Sequence, residues 1–128
     1  MRSLATITLV VADYDEAIDF YVGKLGFALI GDVALGGDKR WVTVGLDGGA
    51  KLLLARADGA AQVARIGDQT GGRVGFFLET DDFARDHASF LRNGVRFLEE
   101  PRHEPYGSVA VFADLYGNTW DLIQPLKE

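Results

Sequence analysis

The chain has 128 residues, of which 48% are hydrophobic and 25% charged, as expected for one soluble globular domain. It contains no cysteine, which excludes disulfides, thiolate metal sites and cysteine nucleophiles. Its net charge of −6 disfavours nucleic acid and anionic membranes as partners, since both bind clusters of Lys and Arg. Neither a signal peptide nor a membrane-spanning run is evident, so we expect a cytoplasmic protein.

The first half of the chain predicts the element order β-α-β-β-β. Residues 6–11 alternate between polar and apolar side chains, as a half-buried strand does. Asp13 is a suitable N-cap for a following amphipathic helix, and Gly26 stands where a left-handed C-cap is expected. Three further strands are predicted after the helix, at residues 27–30, 41–46 and 51–55.

The second half predicts the same order again, with Asp82 as the counterpart of Asp13 and Gly94 as that of Gly26. Its strands are predicted at residues 73–80, 95–98, 108–113 and 119–123. Residues 99–107 contain two prolines and predict an irregular connection. We therefore expect a single domain of two modules, residues 1–56 and 73–128, joined by a crossover at residues 57–72 that is long enough to act as a lid.

Alternation along the predicted strands sorts their side chains onto two faces. One face is apolar and is expected to pack beneath the helices: Ile7, Leu9, Val42, Val44, Leu52, Leu54, Val74, Phe76, Leu78, Val109, Val111, Trp120 and Leu122. The other face mixes aromatic, small and isolated polar residues, which suits a ligand cavity shared by the two halves. On this face and its rim we predict these ligand-binding residues: Thr6, Thr8, Trp41, Leu53, Phe77, Glu79, Tyr106, Phe112 and Asp121. The other interpretation is that the face closes on itself or on a second subunit.

Several segments resemble the vicinal oxygen chelate superfamily, which includes glyoxalase I, extradiol dioxygenases, fosfomycin-resistance enzymes and bleomycin-resistance proteins. The first half carries Val-Ala-Asp at 11–13, Ala-Ile-Asp-Phe-Tyr at 17–21 and Lys-Leu-Gly-Phe at 24–27. The second half ends in Asp-Leu-Tyr-Gly-Asn at 114–118, similar to the family's DPxGN turn with Leu115 in place of Pro. The resemblance implies an α+β fold of two βαβββ modules in tandem, forming a glyoxalase/bleomycin-resistance-like half-barrel sheet around a cavity.

The resemblance also directs attention to four metal-ligand positions. Catalytic members of the superfamily bind a divalent ion through His and Glu side chains on the first and last strands of each module. Carried over by register, those positions hold Thr6, Leu53, Gly75 and Asp121. About three converging His or carboxylate ligands are needed for a zinc-like ion, and only Asp121 qualifies. We therefore predict no metal and no cofactor.

The leading hypothesis is a metal-free protein that binds or sequesters a small molecule, as the bleomycin-resistance branch does. Trp41 and Tyr106 are the aromatic residues expected to stack on a ligand, and no catalytic residue can be assigned. Arg40 and Arg56 either lie at a solvated rim or clamp an anionic group.

Two alternatives stay open. One is a metal-dependent lyase, isomerase or dioxygenase-like enzyme with a displaced site formed by Glu79, His103, Glu104 and Asp121. The other is a domain that only dimerises or regulates a partner. The resemblance itself implies a homodimer.

Overall fold

The computed structural model describes residues 1–126, which contain two β-sheets and three short helices. The chain divides into two compact units, Met1–Gly67 and a second that begins at Asp68. Four strands form the sheet of the first unit: β1 (Thr6–Val11), β2 (Ala28–Gly36), β3 (Lys39–Gly45) and β4 (Lys51–Arg56). They lie in the order β1-β4-β3-β2, with β1 and β4 parallel.

The first helix begins where the sequence predicts it. Asp13 Oδ2 accepts a hydrogen bond from the Glu16 N–H at 2.9 Å and caps α1 (Tyr14–Ile18). The helix then widens into a π-helical segment, Asp19–Lys24, which the sequence analysis did not anticipate. The wider turn allows the adjacent aromatic residues Phe20 and Tyr21 both to be buried, with their ring centroids 5.2 Å apart.

The core of the first unit lies where the alternation of its strands predicts it. Leu9, Val42, Val44 and Leu54 are fully buried. Ile7 was assigned to the same buried face and is an exception, since 41% of its surface is exposed near the start of β1. Burial therefore begins only at the middle of this strand.

The second unit repeats the topology of the first. Its elements are α3 (Phe83–Arg92), β5 (Phe76–Glu79), β6 (Arg96–Phe97), β7 (Arg102–Glu104), β8 (Gly107–Ala113) and β9 (Thr119–Pro125). Asp82 caps α3 by accepting from the Arg85 N–H at 3.0 Å. The strand order β5-β9-β8-β6, with β5 and β9 parallel, matches that of the first sheet. The predicted α+β fold of two βαβββ modules is confirmed.

Several segments differ from the prediction. Strand β2 (Ala28–Gly36) extends well beyond the predicted residues 27–30. The helix α2 (Ala60–Val63) lies inside the predicted crossover, and β5 begins at Phe76 rather than at residue 73. Residues 99–107, predicted to be irregular, contain β7. Both β6 and β7 pair with β8, through Arg96↔Ala113 and Arg102↔Val109, so they are two pieces of one interrupted strand.

The predicted phase of β8 is wrong by one residue. Phe112 is the cross-strand partner of Trp120, so the two side chains point to the same face of the sheet. Phe112 is fully buried there, with its ring 5.5 Å from that of Phe90 on α3. Ala110 follows Phe112 to the helix side, and Val111, as the partner of Asp121, points the other way with Val109. Phe112 and Ala110 are therefore core residues.

The turn between β8 and β9 is held by a buried carboxylate. Asp114 Oδ1 accepts from the backbone N–H groups of Tyr116 and Asn118, both at 2.9 Å. Its Oδ2 accepts from Asn118 Nδ2 at 2.9 Å, and Asn118 Oδ1 accepts from the Gln69 N–H at 3.1 Å. These contacts give the Asp and Asn of the DPxGN-like turn a structural role. Within residues 1–126, no helix combines the length and the apolar character that a bilayer span requires.

Candidate functional site

A cleft of about 710 Å³ lies at one end of the first sheet, within the first unit. The β2–β3 hairpin, the end of β4 and the residues around α2 surround it. Its apolar wall includes Leu35, Trp41 and Leu53, with the hydroxyl-bearing Thr8 beside them. Its charged side chains are those of Asp38, Lys39, Arg40, Arg56 and Asp58. The volume and the mixed lining are those of a typical small-molecule site.

Three of the predicted ligand-binding residues meet in this cleft. Thr8 and Leu53 are cross-strand partners on β1 and β4, and Thr43 of β3 pairs with Leu53. Because side chains two residues apart on a strand share a face, Trp41 lies on the same face as Thr43. Trp41 is 45% exposed, which is unusual for so large a side chain. The cleft therefore presents an accessible aromatic surface.

Tyr14 forms a fixed part of the lining. Its side chain is buried, and its hydroxyl accepts a hydrogen bond from the Arg40 backbone N–H at 3.1 Å. The Arg40 guanidinium lies over the ring, 5.0 Å from its centroid. The same guanidinium pairs with Asp15 at 3.0 Å and Asp32 at 2.7 Å. Hydrogen bonding from Arg40 lowers the pKa of Asp32, and the two carboxylates raise the pKa of Arg40. Arg40 thus fastens α1 to the hairpin.

Arg56 is placed differently. Its guanidinium also lies over the Tyr14 ring, at 5.7 Å from the centroid. Its one ion pair is with Asp38, at 3.9 Å, and in the part of the chain that the structure describes its side chain donates no hydrogen bond. The side chain is 42% exposed and borders the cleft. Its hydrogen-bond donors are therefore left to water or to a ligand.

Two other predicted residues come together in the second unit. Phe77 and Asp121 are cross-strand partners on β5 and β9, and 66% of Phe77 is exposed. Asp121 Oδ1 is buried and has no hydrogen-bond partner among the described residues. Burial raises the pKa of Asp121, while the charge of Arg102 opposes the rise and that of Glu99 adds to it. This carboxyl is thus less acidic than an ordinary Asp.

The remaining predicted residues are scattered. Thr6 pairs with Lys51 at the start of the first sheet and is not part of the cleft lining. Glu79 lines a separate, shallow depression in the second unit with Gln124. Tyr106 is half-exposed and does not line the cleft. Phe112, as described above, lies in the core. The ligand-binding set predicted from the sequence is therefore divided over several surfaces.

The residues at the four positions that the resemblance assigns to metal ligands do not fit a divalent ion. The cross-strand partner of Leu53 is Thr8, and that of Asp121 is Phe77, so neither pair supplies two ligands. Gly75 contributes only its backbone, which donates to Thr119 O at 3.0 Å. Over residues 1–126, no group of three or more His, Asp and Glu side chains converges.

The displaced catalytic site considered in the sequence analysis is not assembled either. His103 Nδ1 lies 3.0 Å from Ser108 Oγ, and Glu104 pairs with Arg102 at 3.3 Å. Asp121 is in register with Val111, three positions farther along β8 than Ser108, which corresponds to roughly 10 Å. His103 and Asp121 are therefore too far apart to act on one group.

Some cleft residues were not predicted as ligand contacts. Tyr14 falls in the predicted amphipathic helix and was not named as a ligand contact. Leu35 falls in a segment for which no strand was predicted. The signal for Leu35 was present, since Val33 and Leu35 alternate with small or polar residues just before the Gly36-Gly37 pair. Arg56 was named, although its stacking on Tyr14 was not.

Residues 3–122 match the family model of the Glyoxalase/Bleomycin resistance protein/Dioxygenase superfamily. The chain belongs to this superfamily. The resemblance deduced from the sequence motifs is thereby confirmed. This superfamily member is 55% identical over 126 residues to an uncharacterized protein of Shewanella frigidimarina (strain NCIMB 400), covering 96% of this chain and 93% of that protein.

Two solved structures have a fold similar to that of this chain. The crystal structure of UcmS2 superimposes with a TM-score of 0.82 at 30% identity, covering 96% of this chain and 98% of that one. TnmS3, described as an antibiotic binding protein from Streptomyces sp. CB03234, gives a TM-score of 0.78 at 30% identity, with 98% of each chain covered. The superfamily includes both enzymes and binding proteins, so function must be argued from the cleft.

Proposed function

We propose that this protein binds a small, planar, largely apolar molecule in the cleft of the first unit and sequesters it without changing it. The observation that carries the proposal is the half-exposed indole of Trp41 inside a cleft of about 710 Å³. Leu35 and Leu53 extend the apolar wall beside it. The similarity to TnmS3, an antibiotic binding protein, supports the same function.

Stacking accounts for the expected shape of the ligand. A planar ring that covers the indole removes apolar surface from water and gains the offset contact that aromatic pairs favour. Thr8 and the backbone at the strand ends supply a few polar groups that orient the ligand. No nucleophile paired with a base lines this cleft among the described residues, and this favours binding over chemistry.

Fluorescence of a single tryptophan tests the proposal. The chain has two tryptophans, and Trp120 is buried. A Trp120→Phe variant therefore leaves Trp41 as the reporter, and titration with naphthalene-2-carboxamide and larger planar aromatics should change its emission. Calorimetry should show the same binding, weakened about tenfold or more by Trp41→Ala. Chromatography should recover the ligand unaltered.

Two controls decide the outcome. A Trp41→Phe protein keeps an aromatic wall and so should bind in calorimetry, while its remaining Trp120 emission stays constant. The absence of binding heat with every planar compound would refute the proposal. Conversion of the compound during incubation would replace sequestration by catalysis.

Homodimerisation and a cytoplasmic location are part of the same proposal. The edge strand β2 carries Leu29, Ile30, Val33 and Leu35, each 45% to 55% exposed. An exposed row of apolar residues on a sheet edge favours association with another chain. Light scattering should give the mass of a dimer, and Val33→Glu should shift it toward the 13.9 kDa monomer. A monomeric wild-type protein would contradict the dimer.

A further inference from the structure

We infer that the cleft contains an anion subsite at Arg56, so that its ligand is a planar aromatic molecule carrying a carboxylate or a similarly compact anionic group. The inference rests on the proposed function, which supplies the aromatic part of the ligand. It adds the charge of the ligand and the residue that recognises it.

The two arginines of the cleft differ in what they still offer. The Arg40 guanidinium donates three hydrogen bonds, two to Asp32 at 3.1 and 2.7 Å and one to Asp15 at 3.0 Å. Arg56 makes no hydrogen bond through its side chain within residues 1–126. Because a guanidinium carries five N–H donors, Arg56 can donate hydrogen bonds to a ligand without breaking an existing one.

The Arg56 guanidinium already contacts the Tyr14 ring before a ligand arrives. Its Cζ lies 5.7 Å from the centroid of the Tyr14 ring, a distance typical of a cation–π contact. Tyr14 is itself anchored, because its hydroxyl accepts from the Arg40 N–H and its ring is buried. A charge held in place loses less conformational entropy when it binds an anion than a solvated side chain does.

The acidic side chain nearest to Arg56 is a weak competitor. Asp38 lies 3.9 Å from the guanidinium, and its side chain is 88% exposed. Exposed ion pairs of this kind contribute little to stability. A ligand carboxylate that meets Arg56 through two parallel N–H···O contacts forms a better pair, and it displaces Asp38 into water.

A matched pair of compounds isolates the role of charge. Naphthalene-2-carboxylate and naphthalene-2-carboxamide have the same ring and nearly the same shape, and they differ by one negative charge. The wild-type protein should bind the carboxylate about tenfold more tightly than the amide, as expected for a charge-assisted hydrogen bond. Calorimetry measures both affinities.

Variants then assign the preference to Arg56. Arg56→Gln should reduce the carboxylate-to-amide affinity ratio to about one, and Arg56→Lys should keep part of it, because the charge remains while the fork is lost. Asp38→Asn should raise the ratio two- to threefold, since it removes the competing carboxylate. Arg92→Gln, an exposed position on α3, should leave the ratio unchanged.

Different outcomes separate the inference from the proposed function. Binding of both compounds with equal affinity, together with an unchanged ratio in Asp38→Asn, overturns the anion subsite and leaves the aromatic site standing. Binding of neither these compounds nor the larger planar aromatics refutes the proposed function itself. Circular dichroism and thermal melting show whether Arg56→Gln is folded. If it is not, the affinity ratio of the Asp38→Asn variant decides the test.

Discussion

The side chain of Glu99 takes the place of a backbone acceptor for the Val111 N–H. Its Oε2 accepts a hydrogen bond from the Val111 backbone N–H at 3.0 Å, at the point where β6 and β7 are interrupted. Arg102 holds the carboxylate through Nε, at 3.1 Å from each oxygen. A carboxylate thus closes the gap that the break leaves in the backbone ladder of β8.

Replacement of Glu99 tests this role. Glu99→Ala should lower the free energy of unfolding by about 1–3 kcal/mol, because it leaves a partly buried N–H without an acceptor. Glu99→Gln keeps an acceptor oxygen and should cost less. Urea denaturation measures both, with Glu100→Ala at the exposed neighbouring position as the control. Equal losses in Glu99→Ala and Glu100→Ala would contradict the assignment.

The same glycine-to-alanine change should have opposite effects at two positions. A Cβ on Gly107, where φ is +150°, would collide with the carbonyl oxygen of Gln124. Gly107→Ala should therefore destabilise the protein by about 2–4 kcal/mol. A Cβ on Gly23 meets nothing within 4 Å, and Ala there should stabilise by about 0.5–1 kcal/mol. Thermal melting compares the two, and shifts of the same sign would refute the packing argument.

Leu115 occupies the place of the family's proline, and restoring Pro should stabilise the turn. The Gly117 N–H donates to Asp114 O at 3.1 Å, which makes Leu115 the second residue of a four-residue turn, where proline is favoured. The Leu115 N–H donates no hydrogen bond within residues 1–126, so nothing is lost.

Leu115→Pro should therefore raise the free energy of unfolding by about 0.4–1 kcal/mol through a less flexible unfolded chain. Leu115→Ala serves as the control and should show no such gain. A lower melting temperature for the Pro variant would show that its ring does not fit the turn.

Asp121 should make stability depend on pH. Burial raises its pKa in the folded protein above the ordinary Asp value of the unfolded chain, so the folded state holds the proton more tightly. The free energy of unfolding therefore falls as pH rises from the pKa of the unfolded chain to the higher pKa of the folded protein. At neutral pH the ionised carboxylate weakens the fold. Asp121→Asn removes the titrating group. The variant should be more stable than wild type at neutral pH, and the difference should disappear near pH 3.

Urea denaturation at several pH values checks this prediction. A variant that is less stable than wild type at neutral pH would show that the Asp121 carboxylate has a favourable partner, contrary to the burial argument. An advantage that does not depend on pH would assign the effect to packing instead.

Local rules predicted the parts of the fold that depend on neighbours in sequence. Asp13 and Asp82 were predicted as caps because each precedes an amphipathic stretch, and in the structure each accepts from the N–H three residues on. The phase of β8 was missed because it is decided by the pairing of Phe112 with Trp120 across the sheet. Alternation alone does not state which of two apolar faces meets the helix.

The cleft shows the same division. Thr8 and Leu53 were placed on one face by strand alternation alone, and the structure pairs them across the parallel strands β1 and β4. The contact of Arg56 with Tyr14 joins the end of β4 to α1, and no rule of spacing along the chain reports such a contact. Strand alternation thus grouped Thr8 and Leu53, but it did not predict the contact between Arg56 and Tyr14.

Each sheet is built from one half of the chain, and this has a consequence for assembly. The Ala57 N–H donates to Val11 O at the end of the first sheet, and the Gln69 N–H donates to Asn118 Oδ1 in the second unit. Among residues 1–126, each sheet pairs only strands from its own side of the segment between these two bonds. Two copies could therefore exchange whole halves by rerouting only residues 58–68, without breaking a single strand pair.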